Sequence, residues 1–206
     1  MKSIMVINSK GGSGKTTIAV NLAAYCAQHG YDTNLIDLDP QLSSTQWLKE
    51  RPLNKSSIRG STKFQKAIKK SKKTVIIYDV PAAVYGARLE TYIKKADKIV
   101  VPVMPSPIDI KAAREFLNNL RSLGPVIRNK IKVGLVANRA RANTNIFLEL
   151  DAYLVREKGL KYITAFRDNT NYIKSATSGL GIFEMGESAT AQDREEWKPL
   201  IRWLEL

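Results

Sequence analysis

Ser9-Lys10-Gly11-Gly12-Ser13-Gly14-Lys15-Thr16-Thr17 decides the fold, because the apolar run Ile4 to Ile7 leads into it and a helical pattern leads out of it. Three glycines let the backbone bend around an anion, so that successive N–H groups and a helix N-terminus aim at phosphates. Lys15 then places a point charge on the β and γ oxygens of a nucleoside triphosphate, and the Thr16 hydroxyl holds Mg²⁺. Lys10, Gly11, Gly12, Ser13, Gly14, Lys15, Thr16 and Thr17 are the expected phosphate-binding residues. The loop departs from the GxxxxGK[ST] pattern at one place: Ser9 stands five positions before Gly14, where the first glycine is usual, and an additional lysine, Lys10, follows it.

Outward from this loop, short β-branched segments alternate with helical ones. Lys15 to Gln28 carries Ile18, Leu22, Tyr25 and Cys26 at helical spacing, and Gly30 supplies a left-handed cap after it. Ile4 to Ile7, Asn34 to Asp37, Val75 to Asp79, Ile99 to Val103 and Lys132 to Ala137 read as strands, with Tyr162 to Ala165 a weaker one. Strands this apolar are buried on both faces, which predicts an α/β domain with a mostly parallel, twisted sheet and helices on each side. Glu50 to Lys73 is rich in Lys, Arg and Ser and reads as a looser insertion, with Phe64, Ala67 and Ile68 as a short helical face. No repeat or low-complexity linker interrupts the chain, so residues 1–206 are expected to form a single domain.

The loop is similar to that of the deviant Walker A ATPases of the ParA and MinD family, a group of P-loop NTPases whose loop reads KGG-x-GK-[ST][ST]. Lys10 matches their signature lysine. The resemblance implies that ATP closes a homodimer and that Lys10 reaches across it to the partner's nucleotide.

Asp37-Leu38-Asp39-Pro40-Gln41 places two acids at the C-terminal end of the second expected strand, beside the phosphate loop, where they can orient water or Mg²⁺. Asp39-Pro40 also reads as a helix N-cap. The family pattern D-x-D-P-Q implies that Asp39 positions the attacking water and that Asp37 supports the loop or the metal's surroundings. Val75 to Asp79, four largely apolar residues and an acid, has the form of a Walker B element, with Asp79 holding Mg²⁺ through water. The following Val80-Pro81-Ala82-Ala83 differs by one residue from the family's frequent D-x-P-P. Pro102 to Asp109 resembles the family's P-x-x-P-S-x-x-D segment at the dimer interface, and Asp109 can also cap a helix beginning near Ile110. Asn138 ends a strand with an amide that offers donor and acceptor, and the resemblance implies its use on the adenine edge. Clear motifs span residues 1 to 140. The stretch Phe166 to Gly181, with Arg167, Tyr172 and Ala176, is similar to the family only loosely and yields no catalytic role.

Composition limits the partners. With 206 residues, 44% apolar and 25% charged, the chain is globular rather than disordered. Its 33 basic against 19 acidic residues give +14, which points to a polyanion. Lys63, Lys66, Lys69, Lys70, Lys72 and Lys73 form one concentration; Arg128, Lys130, Lys132, Arg139 and Arg141 form another. No recognition helix or zinc finger is evident, so nonspecific duplex DNA is the expected ligand, although each cluster alone also reads as a solvated face. One cysteine and one histidine supply no zinc or iron–sulfur set, which disfavours iron-protein relatives. The expected location is the cytosol, on the nucleoid. The expected cofactors are ATP and Mg²⁺, with a ParB-like or other adaptor stimulating hydrolysis. The alternative is a MinD-like ATPase on the membrane, for which Trp197, Leu200, Ile201 and Leu204 form the candidate foot; the near-neutral charge of that segment favours core packing instead. A noncatalytic nucleotide-gated module is the third reading.

Overall fold

The computed structural model describes residues 1–64, 71–128 and 130–206. In chain order the elements are β1 (Lys2–Val6), α1 (Lys15–Gln28), β2 (Asp32–Asp37), α2 (Ser43–Glu50), β3 (Arg59–Ser61), β4 (Thr74–Asp79), α3 (Gly86–Ile93) and β5 (Lys98–Val103), then α4 (Pro107–Ser122), α5 (Gly124–Ile127), β6 (Lys132–Ala140), α6 (Asn145–Arg156), β7 (Lys161–Arg167), α7 (Asn171–Thr177), a 3₁₀ turn (Ile182–Glu184) and α8 (Glu187–Leu204). Among the described residues the strands form one seven-stranded sheet in the order β3-β2-β4-β1-β5-β6-β7. Every pairing is parallel.

Alternation along the strands divides the core between the two faces of this sheet. Ile4 and Val6 of β1, with Val75 and Ile77 of β4, pack beneath α1, Trp47 of α2 and Trp197, Leu200 and Leu204 of α8. Met5, Ile76 and Tyr78 turn the other way, against Leu89 and Ile93 of α3, Phe116 and Leu120 of α4, and Leu150 and Leu154 of α6. The first layer is stitched by a stacked Phe166–Trp197 pair 4.4 Å apart. Cys26 lies fully buried in that layer, and burial pushes its thiol up to about 12.

Each expected strand is present, most of them longer than the apolar pattern marks. β3 was not expected. It has three residues, exposed or half-buried, without apolar alternation, and is held as an edge strand by β2. Phe64 packs its ring against Tyr78 and Tyr92 at 5.4 and 5.1 Å, whereas Ala67 and Ile68 of the expected short helical face lie outside the described residues. In α8, Trp197 and Leu200 are 0% exposed, Leu204 1% and Ile201 6%, so the apolar stripe of the C-terminal helix is core. Among the described residues no helix is long and apolar enough to cross a membrane.

Candidate active site

The phosphate loop leaves the central strand β1 at the C-terminal edge of the sheet. Its base is clamped: the Ile7 N–H donates to the Val100 carbonyl at 3.0 Å and Asn8 Nδ2 to the Pro102 carbonyl at 2.6 Å. Gly12 (φ +75°) and Gly14 (φ +88°) take left-handed backbone that side chains disfavour. Gly14 is required twice over, since a Cβ there would stand 2.0 Å from Asn138 Nδ2. That amide donates to the Ser13 carbonyl at 2.8 Å, so the strand β6 residue braces the loop from behind. The Lys10 carbonyl accepts from Lys15 Nζ at 3.0 Å and from Ser13 Oγ at 3.2 Å, which folds the loop over the start of α1. Lys15 is only 7% exposed; burial lowers its pKa, and the carboxylates of Asp79 and Asp39 oppose that shift. The Lys10 side chain is half-buried and makes no hydrogen bond or ion pair among the described residues.

Asp37 and Asp79 are register partners at the ends of adjacent strands, each 1% exposed. Asp37 accepts the Asp39 N–H at 3.2 Å on one oxygen and the Thr45 N–H at 2.8 Å on the other, fastening the loop after β2 and the first turn of α2. Asp79 accepts the Ser44 hydroxyl on Oδ2, while its buried Oδ1 has no hydrogen-bond partner among the described residues. Burial raises Asp79 to about 6, against the lowering effect of the Ser44 and Thr16 hydroxyls. An orphaned carboxylate oxygen beside a threonine hydroxyl suits Mg²⁺, which takes one or two protein oxygens and completes its shell with phosphate and water. Among the described residues no group of three or more His, Cys, Asp or Glu converges. Asp39 is half-buried and its Oδ1 accepts the Gln41 N–H at 2.9 Å, a turn that aims the chain into α2 through Leu42 at φ +53°.

Two segments complete the rim. After β4, Ala83 takes φ +56° and donates its N–H to the Ser9 carbonyl at 3.0 Å, so the loop that departs from D-x-P-P lies on the phosphate loop. After β5, α4 begins at Pro107. Its cap is Ser106, whose Oγ accepts the Asp109 N–H at 3.1 Å; Asp109 therefore lies in the first turn instead of capping a helix near Ile110.

Asn138 also lines a cleft of about 450 Å³ with Thr17, Arg139, Arg167, Asn169 and Tyr172. Arg139 enters it through a bulge at φ +51°. The wall is fixed by Asp193, 0% exposed, which accepts Arg167 Nε at 2.7 Å and Asn171 Nδ2 at 2.8 Å. Burial alone would raise Asp193, but hydrogen bonds from Arg167, Asn171 and Asn169 prevail and hold it below the usual carboxylate value. Arg167 and Tyr172 are named in the sequence reading without a role and Asn169 is not singled out there; all three line this cleft. The only local sign of them is the polar run Asn169-Thr170-Asn171 after β7.

A phosphate loop on the central strand of a parallel sheet, with acids at the ends of β4 beside it and of β2 one strand further out, defines a P-loop nucleoside triphosphatase. Residues 4–182 match the profile of the CobQ/CobB/MinD/ParA nucleotide binding domain. The chain belongs to that family and is one of its nucleotide-binding ATPases. It is 27% identical over 195 residues to the "Maintenance of carboxysome distribution protein A" of Halothiobacillus neapolitanus, covering 89% of this chain and 88% of that one. Among solved structures, the MinD cell division protein of Aquifex aeolicus superposes with a TM-score of 0.76 at 18% identity, over 100% of this chain and 97% of that one. A plasmid partition protein of Borrelia burgdorferi bound to AMPPNP gives 0.74 at 13%, over 98% of both.

Proposed function

We propose that residues 1–206 act as one ATP-driven positioning unit: ATP closes a homodimer, the dimer binds duplex DNA nonspecifically, and an adaptor protein stimulates hydrolysis and release. The cargo is a plasmid, a chromosome or a protein assembly of the carboxysome kind. The observation that carries this reading is Lys10, whose ammonium has no partner among the described residues although its carbonyl is doubly braced. A lysine presented in this way suits a phosphate brought by a second subunit. The names of the relatives, carboxysome distribution and plasmid partition, support positioning as the purpose.

In this reading the loop N–H groups and Lys15 hold the β and γ phosphates, Asn138 and the Arg167–Tyr172 wall hold the base, and Asp39 orients the attacking water. Thr16 and Asp79, with Asp37 behind them, would hold Mg²⁺, which when bound offsets charge on the phosphates. The remaining catalytic contribution is positioning, as phosphoryl transfer requires. The membrane alternative loses the residues that motivated it, because Trp197, Leu200, Ile201 and Leu204 are packed on the sheet.

The test is cosedimentation with duplex DNA and with anionic liposomes, in ATP, ADP or no nucleotide, for the wild type, Lys15→Ala and Lys10→Ala. The expected result is salt-sensitive DNA binding in ATP only, lost in both variants, with ATP still bound by Lys10→Ala. Lipid binding without DNA binding would overturn it.

A further inference from the structure

The positive charge is unevenly placed. β1, β5, β6 and β7 each open on a lysine, Lys2, Lys98, Lys132 and Lys161, so these four lie along the edge of the sheet opposite the phosphate loop. Lys72 and Lys73, exposed, precede β4 on the same edge. The second linear concentration is split by the nine-residue β6: Arg128, Lys130 and Lys132 lie at this edge, while Arg139 and Arg141 lie at the nucleotide edge, about 26 Å away at strand rise. Parts of both concentrations therefore meet at one place.

The acids along this edge are already engaged. Asp97 accepts from Ser3, Glu157 pairs with Arg121, and Glu205 pairs with Lys98 at 2.9 Å. Lys2 and Lys98 are also spent on carbonyls at the end of α8. What remains is Lys132, Lys161 and Arg202, exposed and without an ion pair among the described residues, around a groove of about 570 Å³ floored by Trp203. Lys130 and Arg128 flank it, likewise exposed.

We propose that this edge, centred on Lys132, Lys161 and Arg202, is the surface that holds the DNA backbone; the inference rests on the reading of the chain as a DNA-bound positioning ATPase. At about 4.8 Å per strand, the step from β4 to β7 spans about 19 Å, enough to cross a major groove of about 12 Å and meet phosphates on both sides. Strand starts and loops present cations but no helix for base edges, which suits phosphate contacts and no sequence reading. A dimer joined across its nucleotide edges carries two such surfaces at its far ends. ATP then strengthens DNA retention by making the protein bivalent toward neighbouring duplexes, with avidity gains of about 10²–10⁴ available to two linked sites.

The experiment measures binding of the full chain to a random-sequence 30-base-pair duplex over a series of salt concentrations, with ATP hydrolysis and dimerisation measured alongside. In Lys132→Gln/Lys161→Gln/Arg202→Gln, DNA affinity should fall at least tenfold, and the slope of log affinity against log salt should flatten by about 2.7, roughly 0.9 for each lost phosphate contact. Hydrolysis and dimerisation should be unchanged. A wild type that binds DNA and a variant that keeps its affinity and slope would overturn this surface and leave the positioning reading standing. So would loss of binding in Arg139→Gln/Arg141→Gln instead. A wild type that binds no DNA at low salt would remove both readings together.

Discussion

Replacing Asn138 tests whether one amide serves both ends of the nucleotide. Its Nδ2 donates to the Ser13 carbonyl at 2.8 Å, with Ser13 0% and Asn138 7% exposed, so water cannot simply take over the lost donor. A buried carbonyl left without its partner costs about 1–3 kcal/mol, which is the expected destabilisation of nucleotide-free Asn138→Ala. Asn138→Asp should cost at least as much, since the nearly isosteric carboxylate turns an acceptor toward that carbonyl. One Nδ2 hydrogen is committed to the loop, which leaves Oδ1 and the second Nδ2 hydrogen for the base, and Oδ1 is the atom expected to meet it. An acceptor there matches the exocyclic amine of adenine and opposes the O6 of guanine. ATP should therefore bind at least tenfold more tightly than GTP, about 1.4 kcal/mol, and Asn138→Ala should narrow that ratio. Urea denaturation without nucleotide measures the first effect, and equilibrium titration with fluorescent ATP and GTP analogues measures the second. If Asn138→Ala lies within about 0.5 kcal/mol of wild type and keeps the wild-type base preference, the reasoning is wrong on both counts.

Arg51 and Glu184 form two hydrogen bonds of 2.6 and 2.8 Å with side chains only 6% and 3% exposed, so Arg51→Met should destabilise by about 3–5 kcal/mol in urea, and adding Glu184→Gln should recover part of it. Ser44 holds one oxygen of Asp79, so Ser44→Ala should weaken Mg²⁺ binding at fixed ATP analogue by about tenfold, with nucleotide affinity in the absence of Mg²⁺ unchanged. Trp47, one turn further along α2, offers the fluorescence signal, and an unaltered Mg²⁺ titration would refute the role. Asp193 is lowered from 3.8 in the folded protein, so its stabilisation is complete above 3.8 and is lost as pH falls toward the lower folded value. The stability gap between wild type and Asp193→Asn should accordingly be full at neutral pH and close in acid, as read from urea midpoints at several pH values.

The phosphate loop, Asp37, Asp39, Asp79 and Asn138 were legible because each lies within a few residues of an apolar strand whose period marks where the acid or amide emerges. The order of these strands in the chain was enough to bring them to one edge. What escaped notice depends on contacts between distant residues or on backbone without a period. Ser44 reaches Asp79 from 35 positions away, and Arg167 is set by Asp193, 26 positions on. Residues Arg59–Ser61 have no apolar alternation and become a strand only because β2 offers an open edge. The basic run from Arg128 to Arg141 looked like one cluster, since linear proximity cannot show that a strand carries its two halves to opposite ends of the sheet.

Cys26 has a consequence for how this protein can be studied. It is the one thiol in the chain, fully buried, with its ionisation pushed up to about 12. The thiolate is the form that attacks an alkylating reagent, so the folded molecule is shielded twice, by access and by protonation. Labelling thus proceeds through opening of the α1 layer, and its rate becomes an internal clock for that event. Run with and without nucleotide, the clock reads how much ligand binding tightens the helix that begins at the phosphate loop, with no probe added to the molecule.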